Sequence, residues 1–208
     1  MNQPHPLILA SSSVYRKELL KRLHIPFTTL SPDLDESPLP KESPTELVKR
    51  LSLAKAALIA DQNPSAWVIG SDQVADFAGT AIGKPGNFSK ALAQLQSMRG
   101  HTVIFHTGLC LYQQQTNTVL YDCVHTAVTF RDLDDQFLQN YLLTETPYDC
   151  AGSAKSEGLG ISLLSAVESV DPTALIGLPL IRLTSFLLSV GFKIPSHSHT
   201  PLNRTSSK

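Results

Sequence analysis

Trp67-Val-Ile-Gly-Ser-Asp-Gln-Val74 reads as a buried strand with a carboxylate inside it, and Gly79-Thr80 offers the turn that ends it. Burying Asp72 is costly unless the carboxylate is ion-paired, hydrogen-bonded or bound to a metal. Two readings of Asp72 stay open at this point. It is a structural aspartate receiving backbone hydrogen bonds, or it is a general base or metal ligand in a cleft. Asp76 shares the strand face but sits near the turn, where exposure is expected.

Upstream, Pro6-Leu-Ile-Leu-Ala10 is a short apolar strand, followed by Ser11-Ser-Ser13 and a helical stretch over 14–23 with Leu19, Leu20 and Leu23 on one face. A strand thus runs through a serine-rich turn into a helix N-terminus, where N–H groups and hydroxyls converge and the dipole favours an anion. Residues 31–44 read as a loop. Ser43-Pro-Thr-Glu46 fits a capping box with Pro44 in the first helical position. Leu47, Leu51, Ala54 and Leu58 then form a stripe at helical spacing. At ~100° per residue, Lys55 falls roughly 60 to 80° from that stripe, which places it on the flank of the buried face.

Downstream, Ile82-Gly-Lys-Pro85 leads to a helix over 89–98 that ends at Gly100 as its C′ residue. Residues 101–112 and 119–130 are β-rich and flank a hairpin turn at 113–118. Asp134 caps the next helix, with Leu133 and Leu138 as a hydrophobic staple. Cys150 to Gly160 is a Gly/Ser-rich loop, and a last helix runs from Pro179 to near Gly191. Strands and helices alternate around one antiparallel hairpin, so the fold class is α/β with a mixed twisted sheet and flanking helices. Residues 1–194 read as a single unit and 195–208 as a disordered polar tail.

Composition narrows the function. The 42% apolar and 17% charged content of the 208 residues describes an ordinary folded chain. A formal net charge of -1 argues against a nucleic-acid polymer as partner, because such binders present a basic surface. A small phosphate ligand needs only a few cations. The chain shows neither a signal peptide nor an apolar run of the roughly 20 residues a membrane span requires, so a cytoplasmic protein without a membrane partner is expected. Cys110, Cys123 and Cys150 lack paired metal-ligand spacing and read as reduced and buried. Cys110 and Cys123 could still face each other across the hairpin.

Several residues complement Asp72. Glu36, in the acidic pair Asp35-Glu36, is either solvated or a ligand for a hard cation shared with phosphates. Arg16 lies in the first turn of a helix, a phosphate-friendly position. Lys84 stands between Gly83, which permits close approach, and Pro85, which stiffens the loop. Gly83-Lys-Pro85 lacks the spacing of a Walker A loop. The 150–160 loop is a flexible turn or a ligand wrap presenting Glu157. His101, His106 and His125 lie on β-runs without visible partners and read as structural. His197 and His199 belong to the polar tail.

Taken in order, Leu7-Ile-Leu-Ala-Ser-Ser-Ser-Val-Tyr-Arg16, Asp35-Glu36, the 51–55 helix segment, Gly70-Ser-Asp-Gln73, Gly83-Lys-Pro85 and Cys150-Ala-Gly-Ser resemble the Maf family of nucleoside triphosphate pyrophosphatases over residues 7–192. The resemblance implies two lobes around a deep cleft, in the inosine triphosphatase-like architecture. It implies hydrolysis of a nucleoside triphosphate to a monophosphate and pyrophosphate with a divalent cation, Mg²⁺ or Mn²⁺. Asp72 matches the family's proton acceptor or metal ligand. Ser11, Arg16, Glu36, Lys55 and Lys84 match polar residues around phosphates and metal, with Glu36 on the metal side. Family members are often homodimers.

Asp72-Gln73 and Ser156-Glu-Gly158 look like the branch acting on 7-methyl-GTP, with Tyr15, Gln73 and Glu157 as specificity positions. A cation–π contact from Tyr15 and hydrogen bonds accepted by Glu157 would suit a positively charged methylated guanine. Val14 stands where the motif often has Pro, and Tyr15 where this branch often has Trp. The same reaction on UTP, dTTP or a modified pyrimidine triphosphate is one rival reading. A nucleotide-binding regulator of cell division with little catalysis is the other.

Overall fold

The computed structural model describes residues 5–195; the ends of the chain, including His197, His199 and all but the first residue of the tail read as disordered, lie outside the described residues. Among the described residues there are five α-helices and seven strands, alternating except where the fourth strand follows the third and the sixth follows the fifth. β1 (Leu7–Ala10) pairs in parallel with β2 (Thr28–Leu30) and with β3 (Trp67–Phe77). β3 then pairs antiparallel with β5 (Thr102–Gln113), β5 with β6 (Thr118–Phe130), and β6 with the edge strand β7 (Leu164–Ser169). β4 (Thr80–Ile82) folds back onto the far end of β3. The sheet order is β2-β1-β3-β5-β6-β7, so parallel and antiparallel pairing meet on β3. No described helix is long and apolar enough to cross a membrane.

Side chains alternate across a strand, and β3 uses both faces. Trp67 and Ile69 join Leu109 and Leu111 of β5 in a core with α1 (Val14–Lys21) and α5 (Leu180–Ser189). On the same face further along, Ala75 joins Val103 and Phe105 in a second core under α3 (Phe88–Met98) and α4 (Asp135–Glu145). Between the two cores lie polar residues, Ser71 and Gln73 of β3 and Thr107 of β5, hydrogen-bonded to the 174–177 turn. On the edge of β3 away from β5, pairing with β1 ends at Gly70 and pairing with β4 begins at Ala75. Asp72 and Gln73 lie in the gap between them, at the seam of two lobes that share their long strands, with side chains on opposite faces.

The other face is covered by α2 (Pro44–Ala60). Its start follows local chemistry: Ser43 Oγ accepts from Glu46 N while Glu46 accepts from Ser43 N, and Pro44 is the first helical residue. Its buried face differs from the leucine stripe. Leu47 and Leu51 are buried, but Ala54 and Leu58 only partly; Val48, Ser52, Lys55, Ala56 and Ile59 complete the face. Lys55 belongs to the contact surface and does not flank it. The reason lies in the sheet below. A Cβ on Gly70 would fall 2.2 Å from the Ser52 carbonyl oxygen, and one on Gly108 would fall 2.3 Å from Ser52 Oγ. Two glycines on adjacent strands let the helix sink at Ser52, and that rotates Lys55 inward.

Other local readings hold. Asp134 caps α4, and Gly100 takes a positive φ after α3. Leu133 and Leu138 pack into one core. α5 begins after Pro179, which offers no capping side chain; buried Asp171 accepts from Ile181 N and Arg182 N instead. All three cysteines are free, and only Cys110 is buried. Cys110 faces Tyr121 and Cys123 faces Gly108, so the hairpin register keeps the two thiols apart.

Candidate active site

The seam opens into a cavity of about 750 Å³ lined by Ser11, Tyr15, Arg16, Glu36, Lys55, Asp72, Gln73, Lys84 and Glu157. Every site residue read from the sequence reaches this one space. They come from seven stretches of chain: the β1–α1 turn (Ser11), α1 (Tyr15, Arg16), the loop before α2 (Glu36), α2 itself (Lys55), β3 (Asp72, Gln73), the loop after β4 (Lys84) and the loop after α4 (Glu157).

At the cavity floor, buried Lys55 reaches two carboxylates. Its Nζ lies 2.6 Å from Asp72 Oδ1 and 2.6 Å from Glu36 Oε1. Asp72 is buried, while half of the Glu36 side chain is exposed. Partial burial alone would raise the Glu36 pKa. The hydrogen bond and charge of Lys55, with Lys84 and Arg16 further off, hold it below the usual carboxylate value. Trp67 Nε1 is the only buried side-chain polar atom without a partner among the described residues, so Asp72 Oδ2, which takes no hydrogen bond, opens to the cavity.

The β1–α1 turn forms one wall. Ser13 caps α1 by accepting from Arg16 N, and Ser11 Oγ accepts from Ser13 N. The Arg16 guanidinium donates through Nε to the Gly177 carbonyl at 2.8 Å. Burial lowers its pKa, and the charges of Asp72 and Glu36 oppose that shift. Gly177 takes φ +118, a backbone region that disfavours side chains, and its carbonyl also accepts from Ser71 Oγ at 3.0 Å. Sequence reasoning gave Gly177 and Ser71 no role; the local signals are a glycine ahead of Pro179 and the place of Ser71 in Gly70-Ser-Asp-Gln73. Lys84 is exposed at the rim, with its loop pinned by Gly86 N donating to Tyr148 O.

Next to this wall, Tyr15 of α1 meets the 150–160 segment, which carries Glu157. The 150–160 segment is a braced pair of 3-10 turns, not a flexible turn. Tyr141 Oη donates to Ser153 O and accepts from Lys155 N, and Glu145 accepts from both Lys155 Nζ and Leu159 N. Lys155 Nζ lies 5.9 Å from the centroid of the Tyr15 ring, so that ring already attracts a cation. Glu157 is exposed to the cavity. Asp149 and Cys150 also line the cavity here, and burial drives the Cys150 thiol pKa up to about 12. Gln73 is differently engaged: its amide nitrogen donates toward Thr107 Oγ1, Ala174 O and Leu175 O, so it braces the turn behind the cavity. Asp35 turns away and caps its own loop at Ser37 N.

The donors suit a polyanion and a hard cation. Arg16, Lys55, Lys84 and the α1 N-terminus provide positive potential, and the Glu36 and Asp72 carboxylates provide oxygen ligands of the kind Mg²⁺ or Mn²⁺ shares with phosphates.

A family model described as "Maf-like protein" matches residues 6–190. The chain is 56% identical over 197 residues to a 7-methyl-GTP pyrophosphatase of Paraburkholderia xenovorans, covering 93% of this chain and 96% of that one. It is 56% identical over 189 residues to the protein of that name from Ralstonia nicotianae, covering 91% and 97%. The counterpart from Albidiferax ferrireducens is 51% identical over 196 residues, covering 93% and 98%.

Proposed function

The chain belongs to the Maf family, and from that premise we propose that it hydrolyses a nucleoside triphosphate, 7-methyl-GTP foremost, to the monophosphate and pyrophosphate. The observation that carries the reading is the triad of Glu36, Lys55 and Asp72 on the floor of a cavity walled by Arg16 and a helix N-terminus.

In this reaction a water attacks the α-phosphorus, the bond to the α–β bridging oxygen breaks, and pyrophosphate departs. Asp72 accepts the water's proton at Oδ2, the oxygen that Lys55 leaves free. Arg16 and Lys84 meet the charge that grows on the leaving group. Ser11 to Ser13 and the α1 N-terminus hold phosphate oxygens. With Asp72 as the base, Glu36 would hold Mg²⁺ or Mn²⁺, which supplies charge neutralisation at the phosphates.

The base lies toward Tyr15 and Glu157. N7-methylation makes guanine cationic, and the Tyr15 ring that now faces Lys155 suits such a base. Glu157 accepts from the guanine N1 and N2 edge. Gln73 acts indirectly, by fixing the 174–175 turn. The reading carries with it a cytoplasmic setting, a small-molecule partner and a homodimer.

Pyrophosphate release from a panel of 7-methyl-GTP, GTP, UTP and dTTP with Mg²⁺ or Mn²⁺ tests it. The highest kcat/KM is expected on 7-methyl-GTP. A preference for UTP or dTTP would replace the base assignment, and binding without release from any triphosphate would replace the enzyme by a nucleotide-binding regulator.

A further inference from the structure

Beyond the cavity, on the α2 side of the sheet, His106, Cys123 and His125 converge. His106 of β5 and His125 of β6 are directly paired, so their side chains leave the same face. Cys123 lies two residues before His125 and shares that face. His106 Nδ1 and His125 Nδ1 stand 2.7 Å apart, and one ligand atom from each of the three residues falls within 4.8 Å of the others. His106 is buried and His125 exposed, which gives an ion a route from solvent. Behind the cluster, His106 Nε2 lies 3.2 Å from Asp76 Oδ2.

We propose that His106, Cys123 and His125 form a binding site for a zinc-class divalent ion, with Asp76 orienting His106 from behind. The donor set decides the class: one thiolate and two imidazoles favour zinc, whereas the carboxylates in the cavity favour a hard ion. A carboxylate behind a histidine fixes its tautomer and raises its basicity. With the Nε2 proton directed to Asp76, His106 Nδ1 keeps its lone pair for the metal. Donors on a tetrahedral zinc lie about 3.3 to 3.6 Å apart, given bonds of about 2.0 to 2.3 Å. The two Nδ1 atoms stand closer than that spacing and the Cys123 thiol lies within 4.8 Å of a ring nitrogen of each histidine, so side-chain rotations that part the two rings would seat the ion. Three protein ligands leave a fourth position for water. The site links β3, β5 and β6 and is independent of the reaction proposed above.

The test uses the full chain, stripped of metal with a chelator and titrated with Co²⁺ as a spectroscopic stand-in for Zn²⁺. A thiolate-to-cobalt charge-transfer band should appear, saturate at one equivalent and be displaced by Zn²⁺. Cys123→Ser should remove the band, and His125→Ala, at an exposed position that does not hold the core, should remove or greatly weaken it. Asp76→Asn should keep the band but weaken Zn²⁺ binding about 10- to 100-fold. Absence of the band in the parent protein, or its persistence in Cys123→Ser, overturns the site. Unchanged Zn²⁺ affinity in His125→Ala overturns the ligand set, and unchanged affinity in Asp76→Asn removes the orienting carboxylate.

Discussion

Lys55 Nζ and Asp72 Oδ1 lie 2.6 Å apart, both side chains buried, one from a helix and the other from the strand beneath it. The pair occupies one oxygen of Asp72 and leaves the other facing the cavity. Asp72→Asn keeps the shape and a hydrogen-bond acceptor for Lys55 but removes the proton acceptor. Turnover in a pyrophosphate-release assay should fall at least ~100-fold, with the fold retained by circular dichroism. Near-normal turnover in a folded variant would remove Asp72 as the base.

Lys55→Met strands a buried carboxylate. Breaking a buried pair from one side costs about 3 to 5 kcal/mol. The half-exposed Glu36 can turn to solvent, so the loss should come from Asp72. The double variant with Asp72→Asn should recover much of the stability in a denaturant titration. Additive losses would show that the two groups do not interact.

Specificity is predicted to separate from turnover at Glu157. A hydrogen bond to a charged group contributes about 1.5 to 3 kcal/mol, so Glu157→Gln should lower kcat/KM on 7-methyl-GTP roughly 10- to 100-fold. UTP hydrolysis should change much less. Equal losses on both nucleotides would take Glu157 out of base recognition.

Gly70→Ala drives a methyl against backbone, 2.2 Å from the Ser52 carbonyl oxygen and 2.8 Å from Ala56 N. Overpacking costs about 1 to 3 kcal/mol, and because neither contact is a flexible side chain, the cost should fall at the upper end. α2 must also lift, carrying Lys55 away from Asp72. Both the denaturation midpoint and kcat should drop. Gly83→Ala, with open space around its Cβ and no positive φ, should leave stability unchanged.

An acid-stability prediction concerns the loop that carries Glu36. Arg50 of α2 donates to both Glu42 oxygens and, through Nη2, to the Ser37 carbonyl at 3.0 Å. The Arg50 hydrogen bonds hold the Glu42 carboxyl down to about 2 from its ordinary 4.5. A depressed carboxyl stabilises the fold fully above about pH 4.5, and that contribution drains away as pH falls toward about 2. The melting temperature of Arg50→Gln should therefore lie below that of the parent protein near neutral pH and converge with it at the acid end. A constant gap at every pH would refute the linkage.

Much of the fold was legible locally. The capping box at Ser43, the 113–118 hairpin and the Asp134 cap are written in residues close in sequence, and each appears as read. β2, β4 and β7 were not legible: two have three residues each, and β7 buries only Leu164 fully, so none shows a clear apolar alternation. His106 and His125 were read as lacking partners because the pairing that joins them depends on hairpin register. Whether the 150–160 loop is a flexible turn or a ligand wrap stayed open in the sequence because its braces, Tyr141 and Glu145, sit on another element.

The sequence by itself determined that an acid lies in a core strand, that a serine-rich turn feeds a helix N-terminus, and which cations stand in motifs able to serve them. Those are properties of short segments, where spacing dictates burial and capping. Only the tertiary structure decided that Lys55 joins Glu36 to Asp72. That contact depends on how deeply α2 settles on the sheet, and the missing side chains of Gly70 and Gly108 set that depth from positions remote in the chain.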